Sequence, residues 1–270
     1  TNFDSDVFLR RFDASGAPVG VDIVVSDANS LSEASATLAQ LAGGNIVVTW
    51  TQFGSASSFD VLARIYTSTG VAVGPTFVVN TATEGPQYTP SVAALTTGGF
   101  VIAWRDDASP DGSGFGVMAQ RFDAAGARVG EAFIVNDMMT GSQYEPEVIG
   151  LPGGAFAILF RDDNGTDGSG AGVFVQFYAA DGSRVDDPIS VSVSGLGTQS
   201  QGSLALLTGG AIVTAWSEFS NATDNTYDIL HRILGNPASF TGPSLSPVID
   251  DVSNLTVTVA SAGTARRLDD

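Results

Sequence analysis

Residues 90–136 read PSVAALTTGGFVIAWRDDASPDGSGFGVMAQRFDAAGARVGEAFIVN, and this cassette, written repeatedly at intervals of about 55 residues, decides the fold. A leucine closely followed by Gly-Gly recurs at Leu41, Leu95, Leu151 and Leu207. Each pair opens an apolar run that ends on an aromatic: Trp50, Trp104, Phe160 and Trp216. A third mark is an alternating segment before a turn: DVFLRRFDASG (6–16), DVLARIYTSTG (60–70), GVMAQRFDAAG (116–126) and GVFVQFYAADG (172–182), with a stub DILHRILGN (228–236). Self-similarity at a period of tens of residues marks solenoids, propellers and arrays.

Within a cassette, turn residues separate four short strands. The first is small and apolar, as in SVAALT. Gly-Gly then supplies the positive φ of a tight hairpin. The second, FVIAW, is apolar throughout and so reads as buried on both faces. The third alternates, with Val117, Ala119 and Arg121 opposing Met118, Gln120 and Phe122. The fourth is EAFIVND and its equivalents. Nothing has helical periodicity. Four hairpin-joined strands repeated radially predict an all-β propeller.

The strand count predicts four blades, or five if the C-terminal segment contributes strands. Closure is expected to pair the fourth-type strand near 19–26 with the last repeat, around 229–233, because joining the ends removes exposed sheet edges. A stacked β-solenoid is the structural alternative. After Gly242 the pattern breaks, so residues 1–242 read as the repeat domain and 243–270 as a tail or the start of another module.

Of the 270 residues, 29 are acidic and 11 basic, for a net charge of −18. That field repels nucleic acid and anionic membrane surfaces and attracts cations. No apolar stretch reaches the roughly 18 residues needed to span a bilayer as a helix. With no cysteine, disulfides, thiolate metal sites and cysteine nucleophiles are excluded. The first residues lack the basic and apolar regions of a signal peptide. Because Thr1 is not an initiator, the chain reads as a processed or excised piece of something longer.

Between the second and third strands lie two acidic loops, RDDASPDGSGFG (105–116) and RDDNGTDGSGAG (161–172). Asp106, Asp107 and Asp111, with Asp162, Asp163 and Asp167, are the candidate ligands of calcium, which takes six to eight oxygens from Gly-bent loops. The alternative is a solvated turn whose Asp side chains bond the local backbone. Arg105 and Arg161 would weaken the metal reading if they neutralised the first Asp of each loop.

The recurrent Trp and Phe slot reads as core packing. Gln87, Tyr88, Gln143 and Tyr144, placed in loops leading into the next cassette, are the candidate ligand contacts. His231 has no nucleophile or second histidine in a recognisable arrangement and reads as structural. Carboxylates are abundant, but nothing singles out one glycosidase-like pair.

The unit P-x-V-x-x-L-x-x-G-G-F-V-x-x-W, continuing through D-G-S-G-x-G-V-x-x-Q-R-F-D-A-x-G to F-x-V-N, resembles the tandem repeat of large RTX-type bacterial secreted proteins, adhesins and calcium-binding haemolysin-like proteins among them. The match is best over residues 90–136 and recognisable from about 5 to 234, and the tail is similar to the start of a cadherin-like module. The nonapeptide Gly-Gly-x-Gly-x-Asp calcium repeats of that family are missing. The resemblance implies an extracellular or cell-surface location, calcium stabilisation and a non-enzymatic binding or spacer role, with a glycan or protein surface as partner. The alternatives are a lectin-like propeller and a secreted polysaccharide hydrolase with an acidic pair in its central channel.

Overall fold

The computed structural model describes residues 5–27, 31–54, 59–82, 84–136, 140–164, 170–192, 197–220 and 226–235. The described chain is all-β and every strand pairing is antiparallel. A hairpin of β1 (Phe8–Phe12) and β2 (Pro18–Val24) comes first. Three four-stranded sheets follow in chain order. The first holds β3 (Glu33–Gln40), β4 (Ile46–Phe53), β5 (Phe59–Tyr66) and the short β6 (Phe77–Val78). The second holds β7 (Gln87–Ala94), β8 (Phe100–Asp106), β9 (Gly116–Phe122) and β10 (Arg128–Ile134). The third holds β11 (Gln143–Gly150), β12 (Phe156–Asp162), β13 (Gly172–Tyr178) and β14 (Arg184–Ser190). A three-stranded sheet of β15 (Thr198–Leu206), β16 (Ile212–Ser220) and β17 (Thr226–Leu234) ends the described array.

The Gly-Gly hairpins form as the sequence predicts. Gly44 and Gly98 stand at φ 85° and 107°, and each donates its N–H back to the leucine that opens the turn, Leu41 or Leu95. A side chain there would meet the steric cost of a left-handed backbone. The turn into the fourth strand is built by aspartate: Asp123 Oδ1 accepts from the N–H of Ala125 and of Ala127, both at 2.9 Å.

Successive sheets pack face to face, which explains the unbroken apolar runs. Along β8, Phe100, Ile102 and Trp104 enter a core shared with the preceding sheet, while Val101 and Ala103 enter one shared with the next. In β12, Phe156, Ile158 and Phe160 face backward, and Ala157 and Leu159 face forward onto the β15–β17 sheet. The outer strands are clipped across sheets by arginine: Arg128 Nη2 donates to the carbonyls of Val78 and Val79 at 2.9 and 3.1 Å. Such stacked sheets are consistent with the propeller expected from the repeat; of the five described, three have four strands, the first has two and the last has three.

The expected closure is not what forms. Strand β2 pairs with β1, from Phe8 opposite Val24 to Phe12 opposite Pro18, and among the described residues β17 pairs only with β16. The reason is local. Asp13 Oδ1 accepts from the N–H of Ser15 and Ala17, so this turn zips its own hairpin as Asp123 does. That hairpin lays Val7, Leu9 and Val25 on Val48, Trp50, Leu62 and Tyr66 of the following sheet. The proposed boundary at residue 242 lies outside the described residues.

Candidate functional site

The first strands of the sheets, β3, β7, β11 and β15, stand side by side and form one inner wall. Thr37 Oγ1 donates to Pro90 O at 3.3 Å, and Val148 N–H donates to Ser91 Oγ at 3.0 Å. Gly150 approaches so closely that a Cβ there would sit 2.1 Å from the Ala94 carbonyl oxygen.

Each inner strand carries a register shift against its neighbour. At each shift a non-glycine residue takes a left-handed backbone: Ser35 (φ 55°), Thr89 (45°), Glu145 (55°) and Gln201 (54°). Such a conformation costs on the order of 1–3 kcal/mol and re-aims the local side chains.

Three carboxylates lie on these strands: Glu33, Glu145 and Glu147. Glu33 is buried and accepts from Gln52 Nε2 at 3.1 Å, in the slot that Gln87, Gln143 and Gln199 fill elsewhere. Glu145 and Glu147 differ, because both reach the seam between β11 and β15. Glu145 Oε2 accepts from the N–H of Gln201 at 2.9 Å, and Glu147 Oε1 accepts from Ser203 Oγ at 3.2 Å. Burial pushes the Glu147 carboxyl above the ordinary glutamate range, against the pull of hydrogen bonds from Leu204 and Ser203. Glu145 has its side chain 40% exposed and Oε1 3.9 Å from Arg161 Nη1.

Sequence reasoning passed over this pair because Glu147 reads as the start of an apolar strand. The usable signal was the comparison of cassettes. The same two slots hold Ser35 and Thr37, Thr89 and Ser91, and Gln201 and Ser203, so one copy alone carries two acids.

At the rim, Tyr88 pairs with Arg105 across β7 and β8, and Tyr144 with Arg161 across β11 and β12. Gln87 and Gln143, expected in loops as ligand contacts, are instead the fully buried first residues of β7 and β11. Gln87 Oε1 accepts from Asn80 Nδ2 at 3.1 Å, and Gln143 Oε1 from Asn136 Nδ2 at 2.7 Å. Asn80 and Asn136 in turn hold the N–H of Val61 and Val117. The glutamines therefore tie sheets together, while the tyrosines stay half-exposed beside them.

The acidic loops spread their carboxylates over several partners. Asp106 turns inward, where it accepts from the N–H of Ala108 at 2.8 Å and burial raises its pKa. Asp107 is gripped by Arg105 through two hydrogen bonds of 2.6 and 2.9 Å. Asp111 accepts from Ser113 N–H at 3.0 Å and from Asn136 Nδ2 at 2.8 Å. In the second loop Asp162 accepts from Gln143 Nε2 at 2.9 Å, and Asp163 lies 2.8 Å from Arg161 Nη2. Asp167 lies outside the described residues. The arginines thus neutralise the second Asp of each loop rather than the first. Among the described residues no three His, Cys, Asp or Glu side chains gather as a metal-holding group.

No family model and no curated protein matches the chain. Solved structures do share its fold. A protein of unknown function from Dyadobacter fermentans aligns with a TM-score of 0.55 at 11% identity, covering 75% of this chain and 65% of that one. An α-L-arabinanase from Penicillium chrysogenum, complexed with arabinobiose, gives 0.53 at 14%, covering 75% and 62%. An α-L-arabinofuranosidase from Lactobacillus brevis gives 0.50 at 11%, covering 80% and 74%. The chain thus spans about two thirds of the length of these structures. The resemblance to RTX-type repeats is overturned, since no family model supports it and the fold is shared instead with glycan-cleaving enzymes. The expectation of a non-enzymatic module falls with it. That expectation rested on the repeats being explained by folding, and the same fold carries catalysis in the arabinanase and arabinofuranosidase.

Proposed function

We propose that this chain is a secreted polysaccharide hydrolase of propeller architecture, with its carboxylate pair at Glu145 and Glu147. The observation that carries the reading is the seam between β11 and β15, where two acids of one inner strand meet donors two residues apart on the next. Glycoside hydrolysis by the common route needs one carboxyl that stays protonated to donate to the leaving oxygen. It needs a second, ionised carboxylate to steady the oxocarbenium-like transition state or activate water. Glu147, raised by burial, suits the acid role, and Glu145, with Oε1 3.9 Å from Arg161 Nη1, is the second carboxylate. The fold shared with an arabinanase and an arabinofuranosidase supports a glycan substrate.

The test is release of reducing ends from a panel of neutral polysaccharides, arabinan first. Glu147→Gln should lower the rate by roughly 10²–10⁴-fold, the usual worth of a general acid, while the protein remains folded. No release from any substrate, or a rate indifferent to Glu147→Gln, would sink the assignment.

For the ring itself we propose five blades, with β1–β2 contributing the outer half of a fifth. The support is that this hairpin stacks as a sheet of its own on β3–β6. Calcium in the acidic loops is a separate proposal, resting on Asp111 and the loop at 161–172. Its measure is thermal unfolding in calcium and in excess chelator. A rise with calcium that Asp111→Ala removes supports it, and superimposed curves discard it. A ligand at a hundredfold excess over its Kd stabilises the folded state by about 2.7 kcal/mol, which such curves resolve.

A further inference from the structure

We propose that Tyr88 and Tyr144 are two successive sugar subsites on a rim platform that feeds a neutral glycan chain toward the carboxylate seam; this rests on the glycan reading above and adds where the chain lies.

The rings and guanidinium groups form one continuous row. Phe53 and Phe59 meet edge to face at 4.7 Å, and Phe59 meets Tyr88 at 5.1 Å. The Arg105 guanidinium follows, 5.1 Å from the Tyr88 ring, 4.0 Å from Phe115 and 5.6 Å from Tyr144. Arg161 continues the row 5.2 Å beyond Tyr144. The row ends at the seam, for Glu145 is the next residue after Tyr144 and approaches Arg161.

Folding does not require these residue types. The Tyr88–Arg105 and Tyr144–Arg161 register pairs are matched by Ala34–Thr51 in the preceding sheet and Ser200–Ser217 in the last. The same architecture is therefore met with small side chains in both flanking copies. An aromatic and an arginine at this slot are additions made in the two middle sheets, one of which bears the acid pair.

The chemistry of the row selects its ligand. A sugar ring presents C–H groups on its faces and hydroxyls at its edge, which complements a row of partly exposed aromatic rings alternating with planar N–H donors. Asp107 and Asp163 hold the two guanidinium groups in place and cancel their charge. A chain of net charge −18 offers no attraction to a polyanion. The ligand is thus an uncharged polysaccharide rather than a polyuronate or a phosphorylated glycan.

The test is affinity electrophoresis with soluble arabinan, xylan and mixed-linkage glucan, and with polygalacturonate as the charged control. Tyr88→Ser and Tyr144→Ser copy the residue that β15 tolerates in this slot, so the fold is kept; near-ultraviolet circular dichroism checks it. Each change should weaken binding of a neutral polysaccharide roughly five- to thirty-fold, corresponding to about 1–2 kcal/mol of lost stacking. Tyr88→Phe and Tyr144→Phe should restore most of it. Unchanged affinity in folded Ser variants, tighter binding of polygalacturonate than of any neutral chain, or no binding of any neutral chain by the unaltered protein would each overturn the proposal. Binding that depends on the tyrosines without any hydrolysis would support the platform while removing the hydrolase assignment. Hydrolysis with an unchanged KM in the Ser variants would do the reverse.

Discussion

Trp104→Ala is expected to cost about 3–5 kcal/mol of stability, the range for emptying a buried aromatic site, whereas Trp104→Phe should cost far less. Trp104 is 1% exposed and packs with Phe100, Ile102, Val61 and Ala63 between two sheets. Truncation leaves a cavity that strands held on both faces cannot collapse to fill. The indole is less well served than its burial suggests. Nε1 of Trp50, Trp104 and Trp216 finds no hydrogen-bond partner among the described residues. A buried donor left unmade costs about 1–3 kcal/mol, and removing it offsets part of the lost ring area. Phe160 already fills the equivalent slot at 0% exposure. Urea unfolding of the three proteins checks this, and a Phe variant as damaged as the Ala variant would mean that the indole N–H has a partner after all.

The second large effect concerns pH at Glu147. Burial raises its folded pKa above the unfolded value, so between the two the folded state holds more protons than the unfolded one. Its contribution to stability is therefore whole below the unfolded pKa and is lost as pH rises through the folded pKa. Glu147→Gln, which cannot ionise, should flatten that part of the curve and melt higher than the unaltered protein at neutral pH. Activity should follow the same proton, with the alkaline limb of kcat/KM set by Glu147 and lying above the ordinary glutamate range. Melting temperatures across pH 4–8, set beside the rate profile, test both. A variant with the same pH slope of stability as the parent would show that Glu147 is not the group responsible.

The repeat explains why so much of the architecture was readable. Gly-Gly before FVIAW or FAILF can only be a hairpin into a strand buried on both faces, and Asp123 or Asp13 before a glycine can only be a turn. Those are local statements, repeated four or five times, and tertiary packing agrees with each. The functional residues were less legible, because their meaning depends on neighbours. Gln87 and Gln143 look like loop residues in sequence, yet each opens a strand and spends its amide on Asn80 or Asn136. Asp107 and Asp163 read in sequence as metal ligands, and in the structure Arg105 and Arg161 pair with them. The closure expected for residues 19–26 ignored the turn that lets β2 pair with β1 first.

By itself, the amino-acid sequence determined an all-β chain of four-stranded units, because hairpin chemistry and apolar runs act within a few residues of themselves. It also determined a net charge of −18. Only the tertiary structure set β11 beside β15, since that contact joins residues more than fifty positions apart through side chains and not through a backbone ladder. Glu145 and Glu147 therefore became a pair, and Tyr88 and Tyr144 a row, only when the sheets had stacked.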